Sequence, residues 1–341
     1  MPLSQFTVYM SADSGSPALT GQTGSLISLL DACLVTGYAS KPAAGWSKPA
    51  FPATSSLGAY QQASGSRLFL YINDSGPVTT SAAQGKEAWA TGWENITAYT
   101  SSAVSASVGA GTGQFPLPSQ VLTTGHYVIR KSATTDSVAR PWIIFADAYT
   151  MYMFIYNGDG SIYSGFIFGD VFSLKPTTDT YKCAIQGRVL ESTSNNTSVE
   201  GIATISSITS NPSIQYLMYF ARSFGGFGQS TAASKTGDLG KTGINSQYAS
   251  TLGTVLTPNP VDNSYYLAPL QVYETTGPNI RGRLRGVYHL CHPIASFSDG
   301  QVFSGANEYA GKTFMVINPI MSNASGGGML AIEISATVET N

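Results

Sequence analysis

The sequence predicts a mainly β protein with sandwich or barrel-like sheets, one N-terminal amphipathic helix and long Gly/Ser-rich loops. Short runs of aromatic and β-branched residues recur along the chain, with Gly, Asn, Asp and Ser between them. Only one segment has the spacing of an amphipathic helix. The clearest strand-forming stretch covers residues 140–172 and reads RPWIIFADAYTMYMFIYNGDGSIYSGFIFGDVF.

The helix is predicted at about residues 25–36, within TGSLISLLDACLVTGY. Ser25 or Thr23 is expected to cap its start, and Gly37 stands where a C-terminal glycine is common. The Pro-containing segment that follows predicts a loop anchored by Trp46. The apolar stripe of this helix has the spacing i, i+3, i+4, i+7, i+8 and consists of Leu26, Leu29, Leu30, Cys33 and Leu34.

Apolar runs predict the strands, and NGDG at residues 157–160 predicts a hairpin turn because Asn and Gly tolerate positive φ. In the first strand, Leu68, Leu70 and Ile72 should share one face, with Phe69 and Tyr71 on the other. The predicted strands are Arg67–Ile72, His126–Arg130, Trp142–Ala146, Thr150–Tyr156, Ile162–Phe168, Tyr181–Val189, Gly201–Ile208, Tyr216–Arg222, Thr313–Ile317 and Met329–Ile334.

A second helix is expected around residues 85–94, and three loops are expected at 101–113, 224–250 and 322–328. These loops are rich in Gly, Ser, Ala and Thr. The second is too long for an ordinary hairpin connection and marks a boundary. We therefore predict a β-rich N-terminal domain over 1–222, a flexible loop or linker over 223–260 and a β-rich C-terminal region over 261–341.

Composition restricts the classes of function. Charged residues make up 11% of the 341 residues, against roughly 25% in an average soluble domain. The hydrophobic share of 43% excludes a disordered chain, and a net charge of −2 gives no general attraction to nucleic acid or to an anionic membrane. No run approaches the length of a membrane span, and no secretory signal is visible.

Cysteine usage predicts synthesis in a reducing cytoplasm. The chain has three cysteines, Cys33, Cys183 and Cys291, which is an odd number and implies no disulfide framework. Each lies among apolar residues and is expected to be a small buried side chain.

Two GKT triplets invite a phosphate-loop interpretation, which the flanking residues do not support. The motif needs a Gly separated from the triplet by four residues, and a helix after the triplet. That position is Lys235 for Gly240–Thr242 and Ala306 for Gly311–Thr313, and the second triplet leads into a predicted strand. We expect no nucleotide site.

A metal site is also not expected. HLCHP places His289, Cys291 and His292 together, and zinc favours these ligands. A structural site needs four ligands, and His126 is the one remaining histidine. On a strand, His292 would face away from the other two. NGDGS resembles the start of a calcium loop but lacks the later ligands, so a plain turn is the better interpretation.

Catalysis has little support in the sequence. There is no Gly-x-Ser-x-Gly elbow, and most acidic residues, such as Asp74, Asp159 and Asp299, lie beside Gly or Ser in apparent turns. A distant carboxylate pair for glycoside hydrolysis remains an open alternative. We predict that the protein is not an enzyme and has no catalytic, cofactor-binding or metal-binding residues and no cofactor.

Two further patterns concern contact surfaces. Arg281, Arg283 and Arg285 alternate, so on a strand their guanidinium groups would share one face. A contact strip for an acidic neighbour or protection of an edge strand is a better interpretation than nucleic-acid binding. The 140–172 stretch also contains four tyrosines: Tyr149, Tyr152, Tyr156 and Tyr163. Three interpretations are open for them: a sugar-binding platform, a protein interface, or the core of a sheet whose second face is covered.

Three segments carry a resemblance to a known family: GQTGSLISLLDACLVTGYASKPAAGWSKP, VIRKSATTDSVARPWIIFADAYTMYMFI and RGRLRGVYHLCHP…DGQVFSG…YAGKTFMVIN. Together they resemble a family of tailed-bacteriophage virion proteins. The likeness covers most of the chain and is weakest over 95–120 and 224–260. It implies a component of the phage particle, present in many copies, without cofactors or catalytic residues. The Gly/Ser-rich loop after Arg222 departs from the family.

From these observations we expect a structural protein of a tailed-phage virion, made in the host bacterial cytoplasm. A capsid-decorating (cement) protein or a component of the neck or tail exterior fits best. Its expected partners are other copies of itself, in a homo-oligomer, and other virion proteins such as major capsid or tail proteins, with no nucleic acid and no membrane. The alternative is a receptor- or carbohydrate-binding module of the tail, and the third interpretation is a glycan-degrading enzyme.

Overall fold

The structure is a computed structural model. It describes residues 5–51, 56–75, 86–99, 110–121, 125–158, 163–175, 178–187, 189–190, 198–199, 218–235, 264–275, 280–290, 297–317 and 329–335. None of the helices in these ranges has the length and hydropathy needed to cross a bilayer.

The described part of the chain is mainly β. An α-helix, α1 (Ser25–Leu30), continues into a π-helical segment (Asp31–Thr36), and Asn307–Tyr309 form a 3₁₀ turn. The strands are β1 (Thr7–Met10), β2 (Leu57–Gln61), β3 (Phe69–Asn73), β4 (Glu87–Ala98), β5 (Ala110–Phe115), β6 (Tyr127–Arg130), β7 (Trp142–Ala146), β8 (Thr150–Tyr156), β9 (Tyr163–Asp170), β10 (Phe172–Ser173), β11 (Cys183–Gln186), β12 (Val189–Leu190), β13 (Ser198–Val199), β14 (Met218–Phe220), β15 (Thr231–Lys235), β16 (Leu267–Glu274), β17 (Ile280–Leu290), β18 (Val302–Ser304), β19 (Thr313–Ile317) and β20 (Met329–Glu333).

One large antiparallel sheet dominates the fold. Its strand order is β1-β7-β8-β9-β11-β14-β15-β16-β17-β20-β19-β18, and β10 pairs with β17. Because β10 directly continues β9, this pairing joins two distant strands of the same sheet. The strands from β9 to β17 therefore close into a ring.

The closure, which we call the seam, lies where β10 meets the start of β17. Phe172 is opposite Arg283, and Ser173 is opposite Gly282. A Cβ at Gly282 would lie 2.1 Å from the carbonyl oxygen of Phe172, so the close approach of the two strands needs a glycine there.

A second sheet has the order β2-β3-β4-β5, with β6 also paired to β4, and β12 and β13 form a separate pair. Together with α1, this second sheet covers one face of β7–β9, and Leu70, Ile72, Phe166 and Phe168 share the core between them. The opposite face of β7–β9 packs against the later strands of the large sheet. The chain thus forms three stacked layers.

Strand predictions agree well with the structure. Trp142–Ala146, Thr150–Tyr156 and Thr313–Ile317 have the predicted bounds. In β3, Ile72 and Leu70 face one core while Phe69 and Tyr71 face another, which confirms the predicted alternation. β8 and β9 pair antiparallel on either side of the predicted hairpin turn, while residues 159–162 lie outside the described ranges. Strand Gly201–Ile208 and loop 322–328 lie outside the described residues.

The helix prediction is confirmed over its full length, because the π-helical segment ends at Thr36 and Gly37 follows with φ +77°. The predicted cap is wrong. Gly24 occupies the cap position without a side-chain hydrogen bond. The amide of Leu26 instead donates to Asp74 Oδ2 at 2.9 Å, from 48 residues along the chain. A long-range contact of this kind leaves no local signature in the sequence.

The second predicted helix, around 85–94, is wrong because Glu87–Ala98 form β4. Ala88 and Ala90 face the core shared with α1, whereas Trp93 faces the other side of the sheet. Alanine and glutamate gave this segment helix propensity, but pairing with β3, β5 and β6 overrides it.

The predicted loop at 101–113 is corrected at its end, since Ala110–Phe115 form β5. Gly111 and Gly113 suggested a loop but serve close packing: a Cβ on Gly111 would lie 2.0 Å from the carbonyl oxygen of Asn95. The predicted linker at 223–260 contains β15, which pairs with β14 and β16 inside the large sheet. Residues 236–260 lie outside the described ranges.

Candidate interaction surface

The arginines of the predicted contact strip do not form one. Arg281 and Arg285 are 0% and 2% exposed and are paired inside the protein, and Arg283 is half-buried with its guanidinium 4.6 Å from the Phe172 ring centroid. The strip prediction is therefore wrong for Arg281 and Arg285. The register of β17 against β16 is irregular on both sides of Arg283, so simple alternation does not place the three guanidinium groups on one face.

Arg281 forms buried ion pairs at the seam. Its guanidinium donates to Glu274 Oε1 and to Asp179 Oδ1, each at 2.9 Å, and to the carbonyl of Tyr181 at 3.0 Å. The ring of Phe220 lies 4.9 Å from the guanidinium carbon. Burial raises the pKa of Glu274, and the neighbouring guanidinium opposes that rise. One cation thus holds two buried carboxylates from different segments.

Arg285 connects β17 to the β7–β8 turn through hydrogen bonds. It binds Asp147 through both terminal nitrogens, at 3.1 and 2.7 Å, and donates to Thr150 Oγ1 at 2.9 Å. The Tyr149 ring lies 4.7 Å from the guanidinium carbon. A two-pronged geometry of this kind is the strong form of an arginine–carboxylate pair.

The tyrosines of the 140–172 stretch do not form a shared exposed platform. Tyr152 is 1% exposed and donates from its hydroxyl to the carbonyl of Arg285 at 3.0 Å. Tyr149 and Tyr156 are half-buried, and the side chain of Tyr163 lies outside the described part of the structure. The covered-sheet interpretation is therefore correct for Tyr152.

Asp74, predicted to be a turn residue, lies in a buried ion pair. Lys131 Nζ contacts Asp74 Oδ1, and both side chains are 0% exposed. Lys131 Nζ also donates to the carbonyl of Gln22 at 2.8 Å and to Ser25 Oγ at 3.3 Å. Burial raises the pKa of Asp74 to about 6, against the opposing effect of Lys131, and lowers the pKa of Lys131.

The outer face of the later strands carries a dense group of rings, which we call the C-terminal aromatic face. The Phe303 ring stacks on Phe314 at 5.4 Å and meets Tyr265 edge-on at 4.9 Å. Phe314 is fully buried, whereas Phe303 and Tyr265 are half-buried. The face consists of Tyr265, Tyr288, Phe297, Phe303, Tyr309 and Phe314.

An edge strand lies beside this face. β18 pairs with β19 and, within the described residues, ends the large sheet. Val302 is 50% exposed, and β18 carries neither Lys nor Pro, the residues with which many proteins protect such an edge. Tyr266 lies between Tyr265 of the aromatic face and the start of β16, and it is also exposed. In the part of the chain that the structure describes, an apolar ring surface and an unpaired strand edge thus occur on neighbouring strands.

Phe227 is the most exposed large apolar side chain in the described ranges, at 81%. It lies in the loop between β14 and β15, where the Gly226 amide donates to the Ser223 carbonyl at 2.7 Å. Ser223 Oγ donates to the carbonyl of Phe227 at 2.7 Å. These bonds fix the backbone, so a rigid turn presents the ring to solvent.

Other sequence candidates have structural roles where they are described. Gly311 turns the chain with φ +83°, and Lys312 contacts Glu333 at 3.1 Å ahead of β19, so this GKT triplet has no helix after it. The other triplet, Cys291 and His292 lie outside the described residues. Trp46 anchors its loop as predicted, donating to the carbonyl of Asp147 at 2.6 Å.

Cys33 and Cys183 are free and buried, as predicted. Within the ranges that the structure describes, no three His, Cys, Asp or Glu side chains gather closely enough to hold a metal ion. His289 is 3% exposed, and burial lowers its pKa to about 4, so it is neutral at physiological pH.

No protein-family model matches this sequence, and comparison with curated proteins finds none that is similar.

Sequence reasoning missed the C-terminal aromatic face. Tyr265, Phe297, Phe303 and Tyr309 are separated by turns and belong to no strong periodic run. Alternation in β19 could have placed Phe314 opposite Met315, but only the folded sheet brings the remaining rings onto Phe314.

Proposed function

We propose that this chain is a structural subunit of a tailed-bacteriophage particle, made in the host cytoplasm and held in the virion by contacts with its own copies and other virion proteins. A place on the outside of the particle fits best, as a head-decorating (cement) protein or a component of the neck or tail exterior. The observation that carries the proposal is the partly exposed C-terminal aromatic face beside β18, which is the edge strand of the large sheet among the described residues.

Aromatic rings with little charge around them are typical of the centre of a protein interface. A standard specific interface buries about 800 Å² on each partner, which several half-buried rings and an added strand can supply. Edge strands extend readily by pairing with a strand from a neighbour.

The distribution of charge supports the same proposal. At least nine Lys and Arg side chains in the described ranges contact a carboxylate of the same chain, three of them in fully or nearly fully buried pairs. Cations that are neutralised internally contribute little electrostatic repulsion between copies. A subunit present many times in one particle benefits from weak repulsion of this kind.

The test is add-back to particles assembled without this chain. Wild-type protein should attach in fixed stoichiometry and remain attached at moderate salt, because apolar contacts are weakly screened. Val302→Lys should reduce the number of copies per particle, since it places a charge on the open edge. Val138→Lys is the matched control, because Val138 is similarly exposed, at 56% against 50% for Val302, but lies outside β18.

Absence of the chain from mature infectious particles would overturn the proposal. Equal attachment of the Val302→Lys variant and the wild type would overturn the assignment of the contact to β18. Imaging a label on the attached protein would distinguish head from tail.

A second candidate function is a receptor- or carbohydrate-binding module of the tail. The observation in its favour is that Tyr265 and Tyr309 are half-buried and Tyr266 is 46% exposed, because rings with a polar tip suit sugar stacking. Purified protein would then bind host glycans by itself, and Tyr266→Ala would weaken that binding more than Tyr266→Phe. A lack of glycan binding in the isolated protein would remove this candidate.

A further inference from the structure

The buried pair Lys131 and Asp74 ties together segments that are distant in the chain. Asp74 directly follows β3, and Lys131 directly follows β6. β3 and β6 both pair with β4, on its two opposite edges. The two side chains therefore meet across the beginning of β4, underneath the first turn of α1.

The contacts around this pair separate the roles of its atoms. Asp74 Oδ1 touches Lys131 Nζ, whereas Oδ2 accepts the Leu26 amide at 2.9 Å. The Gly24 backbone also donates to this carboxyl group. One oxygen thus faces the amine, and the carboxyl group is held by backbone amides, the donor type that stabilises a developing oxyanion in acyl transfer.

The surroundings are dry, because both side chains are 0% exposed. Burial raises the pKa of Asp74 to about 6 and lowers the pKa of Lys131. Both changes favour the uncharged forms: an amine, which is a nucleophile, and a carboxylic acid, whose carbon is an electrophile.

We propose that Lys131 Nζ and Asp74 Cγ join in an intramolecular amide bond. The nitrogen lone pair attacks Cγ, and the bond from Cγ to Oδ1 breaks. Oδ1 leaves as water with the proton of the carboxylic acid and one proton from the nitrogen, and the amide nitrogen keeps its other proton. Ser25 Oγ, 3.3 Å from Nζ, is placed to carry the transferred proton.

The bond would link the ends of β3 and β6 beneath α1. A covalent link between distant residues restricts the unfolded chain more than the folded one, as a disulfide does. It needs no oxidant, so it can form in a reducing cytoplasm where disulfides do not persist. The inference is independent of the proposed virion role.

The test is intact mass spectrometry of the purified, denatured full chain. The expected mass is lower than the sequence mass by one water. Protease digestion should then release a branched peptide that contains both Asp74 and Lys131. Lys131→Arg keeps a cation at this position but lacks the amine, so this variant should have the full sequence mass.

Lys48→Arg is the matched control. Lys48 Nζ contacts Asp31 at 2.7 Å, but that pair is partly exposed, and the variant should keep the loss of water. A wild-type chain with its full sequence mass would overturn the proposal. A water loss confined to Asp74, as in a cyclic imide with Ser75, or one that persists in Lys131→Arg, would overturn it as well.

Discussion

The two outer layers of the molecule are completed differently. The second sheet and α1 cover β7–β9 so that Leu70, Phe166 and Phe168 are almost completely buried. On the opposite side, the later strands carry the C-terminal aromatic face, where Phe314 is buried but Phe303 remains half-buried. Within the described residues, the first surface is almost completely covered, whereas part of the second remains exposed.

The covered side should contribute mainly to folding stability, and the C-terminal aromatic face should contribute mainly to association with a partner. The covered side resembles an ordinary protein core, in which each ring already has its contacts. The C-terminal aromatic face keeps ring surface that a partner could still remove from water, at about 25 cal/mol per Å² of apolar area. Substitutions on the two sides should therefore differ in their energetic cost as the sides differ in burial.

The largest expected effect is at the seam, which joins the two sides. Arg281→Met should lower the free energy of unfolding by about 3–5 kcal/mol, because it leaves Asp179 and Glu274 buried without their cation. Urea unfolding measures this. Arg283→Met, at a half-buried position on the same strand, should lower the free energy of unfolding by clearly less. An equal loss of unfolding free energy in the two variants would contradict the role of Arg281 in stabilising the seam.

Ring truncation compares the two sides directly. Phe168→Ala should cost about 3–5 kcal/mol because Phe168 is 0% exposed. Phe303→Ala should cost less, about 2 kcal/mol, in the isolated protein, since its ring is only partly buried. The same urea experiment measures both. A loss at Phe303 as large as that at Phe168 would show that the aromatic face is already a complete core.

His289 should make the C-terminal strands sensitive to acid. Its folded pKa of about 4 lies below its usual value of 6.5, so the unfolded chain binds the proton more tightly. The stability contribution is complete above pH 6.5 and is lost as the pH falls towards 4, by about 3 kcal/mol in total.

Unfolding measured at pH 7 and pH 5 tests this. The His289→Gln variant should lose less stability between these two values than the wild type does. An identical pH dependence in the two proteins would exclude His289 as the source.

The smallest effect on stability is expected at the rigid turn. Phe227→Ser should change the free energy of unfolding by less than about 0.5 kcal/mol, because the ring is 81% exposed and the turn's bonds use the backbone and Ser223. If the turn is part of an interface, the same variant should reduce attachment to particles, and Phe227→Leu should reduce it less. A large loss of stability would mean that the ring packs inside the fold.

Local sequence patterns were sufficient to predict many of the strands and the helix. Strands such as Trp142–Ala146 and Thr150–Tyr156 followed from aromatic and β-branched runs, and the helix followed from its apolar stripe. The sequence misled at β4, where alanines suggested a helix, and at β5, where glycines suggested a loop. In both places, pairing with neighbouring strands decided the conformation.

By itself, the sequence determined a β-rich chain with low charge, one helix and correctly alternating faces, because these properties depend on residues a few positions apart. Only the tertiary structure decided that β10 closes the large sheet on β17, that Arg281 and Arg285 point inward, and that Asp74 meets Lys131. These features join residues up to 138 positions apart, as Asp147 and Arg285 are. Such pairings depend on the cooperative burial of whole strands, which no local pattern encodes.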